Sequence, residues 1–457
     1  MKTESEAACV ALINGTMDVC SGAPFHNALL TCDRDAINAA LNRTFTLRMK
    51  LGLFDPIDAQ PYWHVPLSAV DTAASRDNNL LATQSSMVLL KHDGVTLPLA
   101  PGKRIAVIGP HANATTDMAG NYLGQLCDDN AFGCIVSPFE AIAALNAGGT
   151  TRMAAGTKIL TNMSGAGGWG DALALAASSD IVVLMLGIDG TVEGESSDRT
   201  SIDLPPVQHA LAAAVAALGK PIVVVLLHGG SVDTTAERDD ARVGAIIDAF
   251  YPGVLGGTVI ASTLFGGNDH LGGKMAFTTY AASYINDIKM SEMELDVGPG
   301  RGYRFFTGTP VYPFGHGLSL STFALTLVSG PANGALVTEA APSTTLTYVV
   351  RVANTGARTA DEVVMAFFAP KSTPSQPKSK LQKQLFAFER VHLAPGASTT
   401  LTFSVDSATL YFVDRDSAAT VSTPGTFDIV FTNGVDNTLH NAVTVSGAEV
   451  LVATYPH

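Results

Sequence analysis

The stretch "GIDGTVEGESSDR" (187–199) sets Asp189, Glu193, Glu195 and Asp198 in close succession, with Arg199 behind them. It follows directly on "DIVVLMLG" (180–187), a run apolar enough to read as a buried strand. Carboxylates placed this way have three chemistries open to them: holding a metal, accepting hydrogen bonds from substrate hydroxyls, or moving protons. The chain has 11 histidines, but none in a paired ligand spacing, so the sequence assigns no metal site and no cofactor. A glutamate pressed among other acids and partly buried is held protonated near neutrality and can act as a general acid. The plainer alternative is a solvated loop whose acids favour the N-terminus of the next helix.

Three further stretches share the character of a lined pocket: "HGGSVDT" (228–234), "YPGVLGG" (251–257) and "RGYRFFTGTPVYPFGHGLS" (301–319). Glycines let the backbone approach a ligand, and aromatic faces beside them suit the apolar faces of sugar rings. Each also reads as an ordinary tight turn. In the third stretch Tyr303 and Arg304 are the candidate substrate-binding side chains, alongside Asp189, Asp198 and Arg199 of the acidic loop.

These loops need elements to carry them. Strand signals at 104–109, 180–187, 221–228 and 244–250 alternate with helical ones. The clearest helix is "PPVQHALAAAVAALGK", with Pro206 in its first turn, Val207, Leu211, Val215 and Leu218 at helical spacing, and Gly219 as its stop. Continuous apolar strands alternating with helices predict a mostly parallel sheet covered on both faces, which binds ligands beyond the carboxyl ends of its strands. Further upstream, "DRDAINAALNRTFTLRMKLGLFDP" predicts a helix capped by Asp33 or Asp35, with Ile37, Leu41 and Phe45 on one face and a stop at Gly52 and Pro56. From about 77 a helix turns into a short strand. After Phe323 the texture becomes β-rich alternation, as in "TTLTYVVRVANTG", "DEVVMAFFAP", "STTLTFSVD" and "GTFDIVFTNG", which predicts an antiparallel sandwich. Between two of these strands, "KSTPSQPKSK" (371–380) reads as a solvated loop.

A formal net charge of −14 argues against nucleic-acid and anionic-membrane partners, which gain nothing from an acidic surface. No apolar run approaches the roughly 20 residues that span a bilayer. The first twenty residues are too polar for a secretory signal. Asn14, Asn42, Asn113 and Asn162 nevertheless sit in glycosylation sequons, and a small disulfide fits Cys127 and Cys134. Five cysteines leave one over.

The motifs "LGLFDP", "LLKHDGVTLPL", "IAVIGPHANAT", "GNYLG", "GIDGTVEGESSDRTSIDLP", "HGGSVDTT", "YPGVLGGTVIASTLFGGND" and "GRGYRFFTGTPVYPFGHGLSLSTF" occur in the order found in glycoside hydrolase family 3, and the chain resembles its β-xylosidase branch. The resemblance implies an α/β fold, an (α/β)6 three-layer sandwich followed by an all-β fibronectin type III-like domain. It implies residues 1–30 as the end of a (β/α)8 barrel, 31–76 as helix and linker, 77–325 as the sandwich and 326–457 as the β domain. It also implies an exo-acting, retaining hydrolase that releases terminal sugars from plant-wall oligosaccharides, extracellular in its full-length form and without a cofactor; the alternatives are a β-glucosidase or α-arabinofuranosidase of the same family, or a non-catalytic carbohydrate-binding or structural remnant.

In such a mechanism an Asp nucleophile comes from the barrel and a Glu acid/base from the sandwich. The nucleophile is then expected on an upstream barrel domain outside this sequence, and this chain alone is expected to lack appreciable turnover. The acid/base falls on Glu193 or Glu195: distance from the strand favours the first, spacing to Asp198 and Arg199 the second. The run "NDHLGGKMAFT" (268–278) departs from the family's Asn-Pro-Gly-Arg-Leu-Pro-like pattern, which leaves that loop's conformation open.

Overall fold

The computed structural model describes residues 4–14, 18–19, 29–121, 123–127, 131–195, 198–332, 334–373 and 380–454. Most of the 371–380 loop, the fifth cysteine, Cys20, and Ser196 and Ser197 of the acidic stretch lie outside the described residues. The chain divides into two units, Met1–Arg76 and Asp77–His457.

The first unit contains helix α1 (Glu4–Ile13) and helix α2 (Arg34–Lys50). A disulfide joins Cys9 to Cys32, and an ion pair of 2.6 Å joins Asp18 to Arg43. Asp33 caps α2 by accepting a hydrogen bond from the Ala36 amide. Ala40 is the buried residue of α2, while Leu41 and Phe45 are exposed.

Helix α3 (Ala73–Ser86) crosses the division and leads into strand β1 (Val88–His92). The sheet then takes β2 (Arg104–Ile108), helix α4 (Pro138–Leu145), β3 (Thr150–Ala154), helix α5 (Trp169–Ser178), β4 (Ile181–Gly187), helix α6 (Pro206–Ala216), β5 (Ile222–Leu227), the short helix α7 (Thr235–Asp239), β6 (Val243–Asp248) and helix α8 (Gly256–Leu264). Strand order is β1-β6-β5-β4-β2-β3, with β1 antiparallel to β6 and every other pair parallel. Alternate residues feed two cores. Val183, Met185, Val223 and Val225 face α4 and α8 through Ile142, Ile260 and Leu264. Val182, Leu184, Val224 and Leu226 face α5 and α6 through Ala176, Leu211 and Val215. This is the three-layer arrangement expected of strands that are apolar on both faces. Strand β3 has no such signature because it is an edge strand, largely exposed, with the sequence TTRMA.

The short helix α9 (Gly302–Phe305) precedes the all-β part. There, β7 (Phe323–Ser329), β8 (Gly334–Val337), β9 (Thr345–Asn354), β10 (Ala360–Ser372), β11 (Gln384–Leu393), β12 (Ser398–Asp406), β13 (Phe412–Val413), β14 (Thr420–Ser422), β15 (Gly425–Thr432), β16 (Thr438–Ser446) and β17 (Val450–Ala453) form sheets of order β11-β10-β15-β16-β8, β12-β9-β7 and β13-β14-β17. Tyr348, Val350 and Val352 of β9 meet Phe368 of β10 and Phe427, Ile429 and Phe431 of β15 in one core. The fold is thus the expected α/β sandwich followed by a fibronectin type III-like β sandwich.

Two polar side chains of α6 act as struts. The fully buried Gln208 amide accepts from the Gly187 N–H at 2.8 Å and donates to the carbonyls of Gly187 at 2.7 Å and Ile159 at 2.9 Å. Gly187 ends β4 with φ +140°, and a Cβ there would drive into the Leu227 carbonyl. Next to it, His209 contacts Glu237 of α7 at 2.7 Å through Nδ1 and Asp203 at 3.0 Å through Nε2. Burial opposes charge on this imidazole, but Glu237 and then Asp203 outweigh it and raise its pKa to about 9.

Two outcomes are expected. Gln208→Leu leaves both polar groups of Gly187 unpaired and lowers unfolding free energy by about 2–4 kcal/mol, read from urea midpoints. Because the folded pKa of His209 lies above its ordinary value of 6.5, its stabilisation is complete below pH 6.5 and is lost as pH rises towards about 9. Urea midpoints should fall across that window, and more shallowly in His209→Asn.

Candidate functional site

Three strand ends converge on one carboxylate. Beyond β4, the Asp189 carbonyl accepts from the amides of Val192 at 2.9 Å and Glu193 at 3.1 Å, and the Asp189 carboxylate accepts from the Thr191 amide and hydroxyl. This local turn folds Glu193 back across the carboxyl end of the sheet. There its Oε1 accepts from the Gly229 amide at 2.6 Å, the Gly230 amide at 3.1 Å and the Tyr251 hydroxyl at 3.0 Å. Its Oε2 lies 3.1 Å from the Gly230 amide and 3.4 Å from Arg199 Nε.

The loops after β5 and β6 are shaped for this clasp. A Cβ on Gly229 would crowd Glu193 Oε1 and the Tyr251 ring, and one on Gly230 would strike the Arg199 guanidinium. Arg199 also donates to the Ser231 carbonyl at 3.0 Å. Behind the turn, buried His228 places Nδ1 2.8 Å from the Gly230 carbonyl and Nε2 3.1 Å from Asp248 Oδ2. Burial works against the His228 cation, but Asp248 and the Gly230 carbonyl raise its pKa overall. Phe250 adopts φ +52°, a conformation costly for a non-glycine residue, and so turns the chain to deliver Tyr251. Burial, and then the charge of Glu193, push the Tyr251 hydroxyl well above its usual pKa, so it stays a donor.

Beside the clasp lies a cleft of about 520 Å³, lined by Asp117, Asn121, Asp189, Thr191, Glu193 and Tyr251 among others. Asp117 sits 3.5 Å from Nδ1 of buried His111, and the interaction with that imidazole holds this carboxyl below its usual range. Asp189 and Glu193 are therefore together on the cleft wall, with Arg199 behind Glu193. Glu195 is exposed and follows Gly194, itself a lining residue; Asp198 is also exposed. Tyr303 lies elsewhere: it stacks on Phe314 with centroids 4.3 Å apart and accepts from the Leu385 amide of β11 at 3.2 Å. It lines a second hollow, on which Gly229 and Gly230 also border. Arg304 lays its guanidinium 5.5 Å from the Phe305 ring centroid and lines neither space.

Sequence reasoning did not single out Asp117, Asn121 or Tyr251 as side chains. The motifs containing the last two, "GNYLG" and "YPGVLGG", were nonetheless legible, whereas Asp117 lies in none of the quoted motifs. The small disulfide forms between Cys127 and Cys134.

Residues 87–320 match the glycosyl hydrolase family 3 C-terminal domain and residues 362–433 a fibronectin type III-like domain. The β-D-xylosidase 1 of Arabidopsis thaliana is 34% identical over 81% of this chain and 50% of its own length. The exo-1,4-β-xylosidase bxlB of Emericella nidulans is 34% identical over 93% of this chain and 56% of its own. A solved family 3 exo-β-xylosidase, in complex with a xylobiose aziridine probe, superposes with a TM-score of 0.85 at 28% identity, covering all of this chain and 60% of that one. The chain thus spans between 50% and 60% of the length of such relatives. With its sheet, its β sandwich and its clasped acidic loop all in the family's order, this chain belongs to glycoside hydrolase family 3.

Proposed function

We propose that this chain carries the acid/base side of an exo-acting, retaining β-xylosidase, with Glu195 as the proton donor and Glu193 as the group that positions it. The observation that supports this division is the saturation of Glu193. Its carboxylate accepts from two amides and a tyrosine hydroxyl and pairs with Arg199. A general acid must instead donate to a leaving oxygen within hydrogen-bond reach. Glu195 is exposed and directly follows Gly194 of the cleft lining, so its carboxyl is within reach of a sugar in the cleft. Asp189 then holds substrate hydroxyls on the cleft wall, Asp198 assists from the same loop, and Arg199 acts through Glu193. Tyr303 borders the second hollow beside Gly229 and Gly230, and Arg304 stands against the Phe305 ring.

In this reading the Asp nucleophile comes from a barrel outside the present sequence, with its carboxyl about 5–5.5 Å from Glu195 as retention requires. Residues 1–30 close that barrel, 31–76 link it onward, and 77–325 and 326–457 form the two following domains. The substrate is a plant-wall oligosaccharide with a terminal xylose. The disulfides Cys9–Cys32 and Cys127–Cys134 support an oxidising, extracellular setting.

The test uses the protein joined to its barrel. Glu195→Gln should cut kcat on xylobiose by about 10²–10⁴-fold, retain glycosylation on dinitrophenyl xyloside, and regain turnover with azide. Glu193→Gln should raise KM and lower thermal stability, without azide rescue. Azide rescue in Glu193→Gln alone would reverse the assignment, and xylobiose turnover unaffected in both variants would remove it.

A further inference from the structure

The run "NDHLGGKMAFT" lands on the all-β part of the chain and builds a cluster there. His270 Nδ1 is 3.2 Å from Asp361 Oδ2, and His392 Nδ1 is 2.5 Å from Asp361 Oδ1. Asp361 and His392 are direct cross-strand partners of β10 and β11, so the sheet register fixes one half. An Asx turn from Asn268 Oδ1 to the His270 amide, at 3.1 Å, fixes the other. The two imidazoles lie side by side, with centroids 4.6 Å apart and planes inclined by 32°.

The two ring edges face different surroundings. Asp361 is buried and also takes Arg390 Nε at 2.6 Å, so a cation already occupies that side. The short Nδ1 contacts there are hydrogen bonds to a carboxylate, in which each imidazole donates. Both Nε2 atoms are thereby left as lone-pair donors, and both turn towards Asp269, His270 at 3.9 Å from Oδ1 and His392 at 3.8 Å from Oδ2. Those separations exceed a hydrogen bond. They approach the spacing of about 3.4 Å between ligand atoms that share a four-coordinate zinc at bond lengths near 2.0–2.1 Å. Asp269 and His392 are both substantially exposed, which gives an ion and its remaining water a way in.

We infer that His270 Nε2, His392 Nε2 and the Asp269 carboxylate form a binding site for a divalent transition cation of the zinc class. Asp361 orients both imidazoles as the carboxylate partner of their Nδ1–H groups, an arrangement characteristic of metal-ligating histidines. Two imidazoles and one carboxylate suit zinc, copper or nickel better than magnesium or calcium. The site joins the α/β sandwich, through residues 269–270, to the β sandwich, through residues 361 and 392, so the ion fastens one layer to the other. The histidines come from segments far apart in the chain, which is why no ligand spacing marks them in the sequence.

Equilibrium dialysis of the purified 457-residue chain against zinc chloride at pH 7.5 should retain one equivalent per chain, with a rise in Tm that a chelator reverses. Cobalt(II) in its place should give visible d–d absorption. His392→Ala and, separately, Asp269→Ala should each weaken zinc binding at least tenfold and abolish the Tm response. Asp269→Ala leaves the Asp361 hydrogen bonds in place and so keeps the test valid if the histidine variant misfolds. Failure to retain zinc, or binding of equal strength in Asp269→Ala, overturns the inference.

Discussion

The clasp of Glu193 by Gly229, Gly230 and Tyr251 is the interaction on which the working end of the sheet depends. It connects the loops leaving β4, β5 and β6 at a single carboxylate, alongside the Arg199 bond to the Ser231 carbonyl and the Asp203–Asp233 bridge. A carboxylate drawn largely out of water is costly unless it is hydrogen-bonded and paired. Here two amides, a phenol and a guanidinium offset that cost. The geometry tolerates no side chain at either glycine, because the space a Cβ would need is taken by the partners of the clasp. His228 and Asp248 lie behind the Gly229–Gly230 turn and hold the Gly230 carbonyl, so the backbone that grips Glu193 is itself gripped.

This layering separates a rigid anchor from a presented group. Sites are held to productive geometry when the residues touching the substrate are supported by others whose rotamers are fixed. Glu193 is fixed by the Gly229 and Gly230 amides of one loop and the Tyr251 hydroxyl of another, whereas Glu195 stands exposed two residues later. Further from the cleft, Gln208 and His209 brace the same region from α6. The first completes the hydrogen bonding of Gly187, and the second ties Asp203 to Glu237. The packing of the two layers relies on a similar device: Lys274 pairs with Glu362 at 2.9 Å where both are buried, and donates to the Gly317 carbonyl.

Much of the architecture was legible because the physics behind it is local or periodic. The runs behind β4, β5 and β6 are apolar on both faces, so a two-sided sheet was the reading they allowed. Cys127 and Cys134 are close enough in sequence for a small loop to bring them together, and they pair; Cys9 and Cys32, separated by 23 residues, gave no comparable signal. Strand β3 escaped notice because an edge strand has no need of a continuous apolar run. In α6 the apolar periodicity identified the helix, but it says nothing of why a glutamine should be fully buried there. Tyr303 read as a candidate substrate-binding side chain from its Gly-rich, aromatic neighbours, and the fold sets it on Phe314 against β11, at the edge of the hollow that Gly229 and Gly230 also border.

By itself the sequence determined the apolar strands β4, β5 and β6, the helix α6 between them, the change from α/β to all-β texture near Phe323, and the acidic loop as a candidate site. Those properties depend on hydrophobic spacing and on residue type within one segment. Only the tertiary structure distinguished the surroundings of two glutamates two positions apart, because the partners of Glu193 come from residues 229, 230 and 251. Likewise it alone brought His270 and His392 against the two oxygens of Asp361, since cross-strand register and domain packing, rather than spacing along the chain, set which side chains share a neighbour.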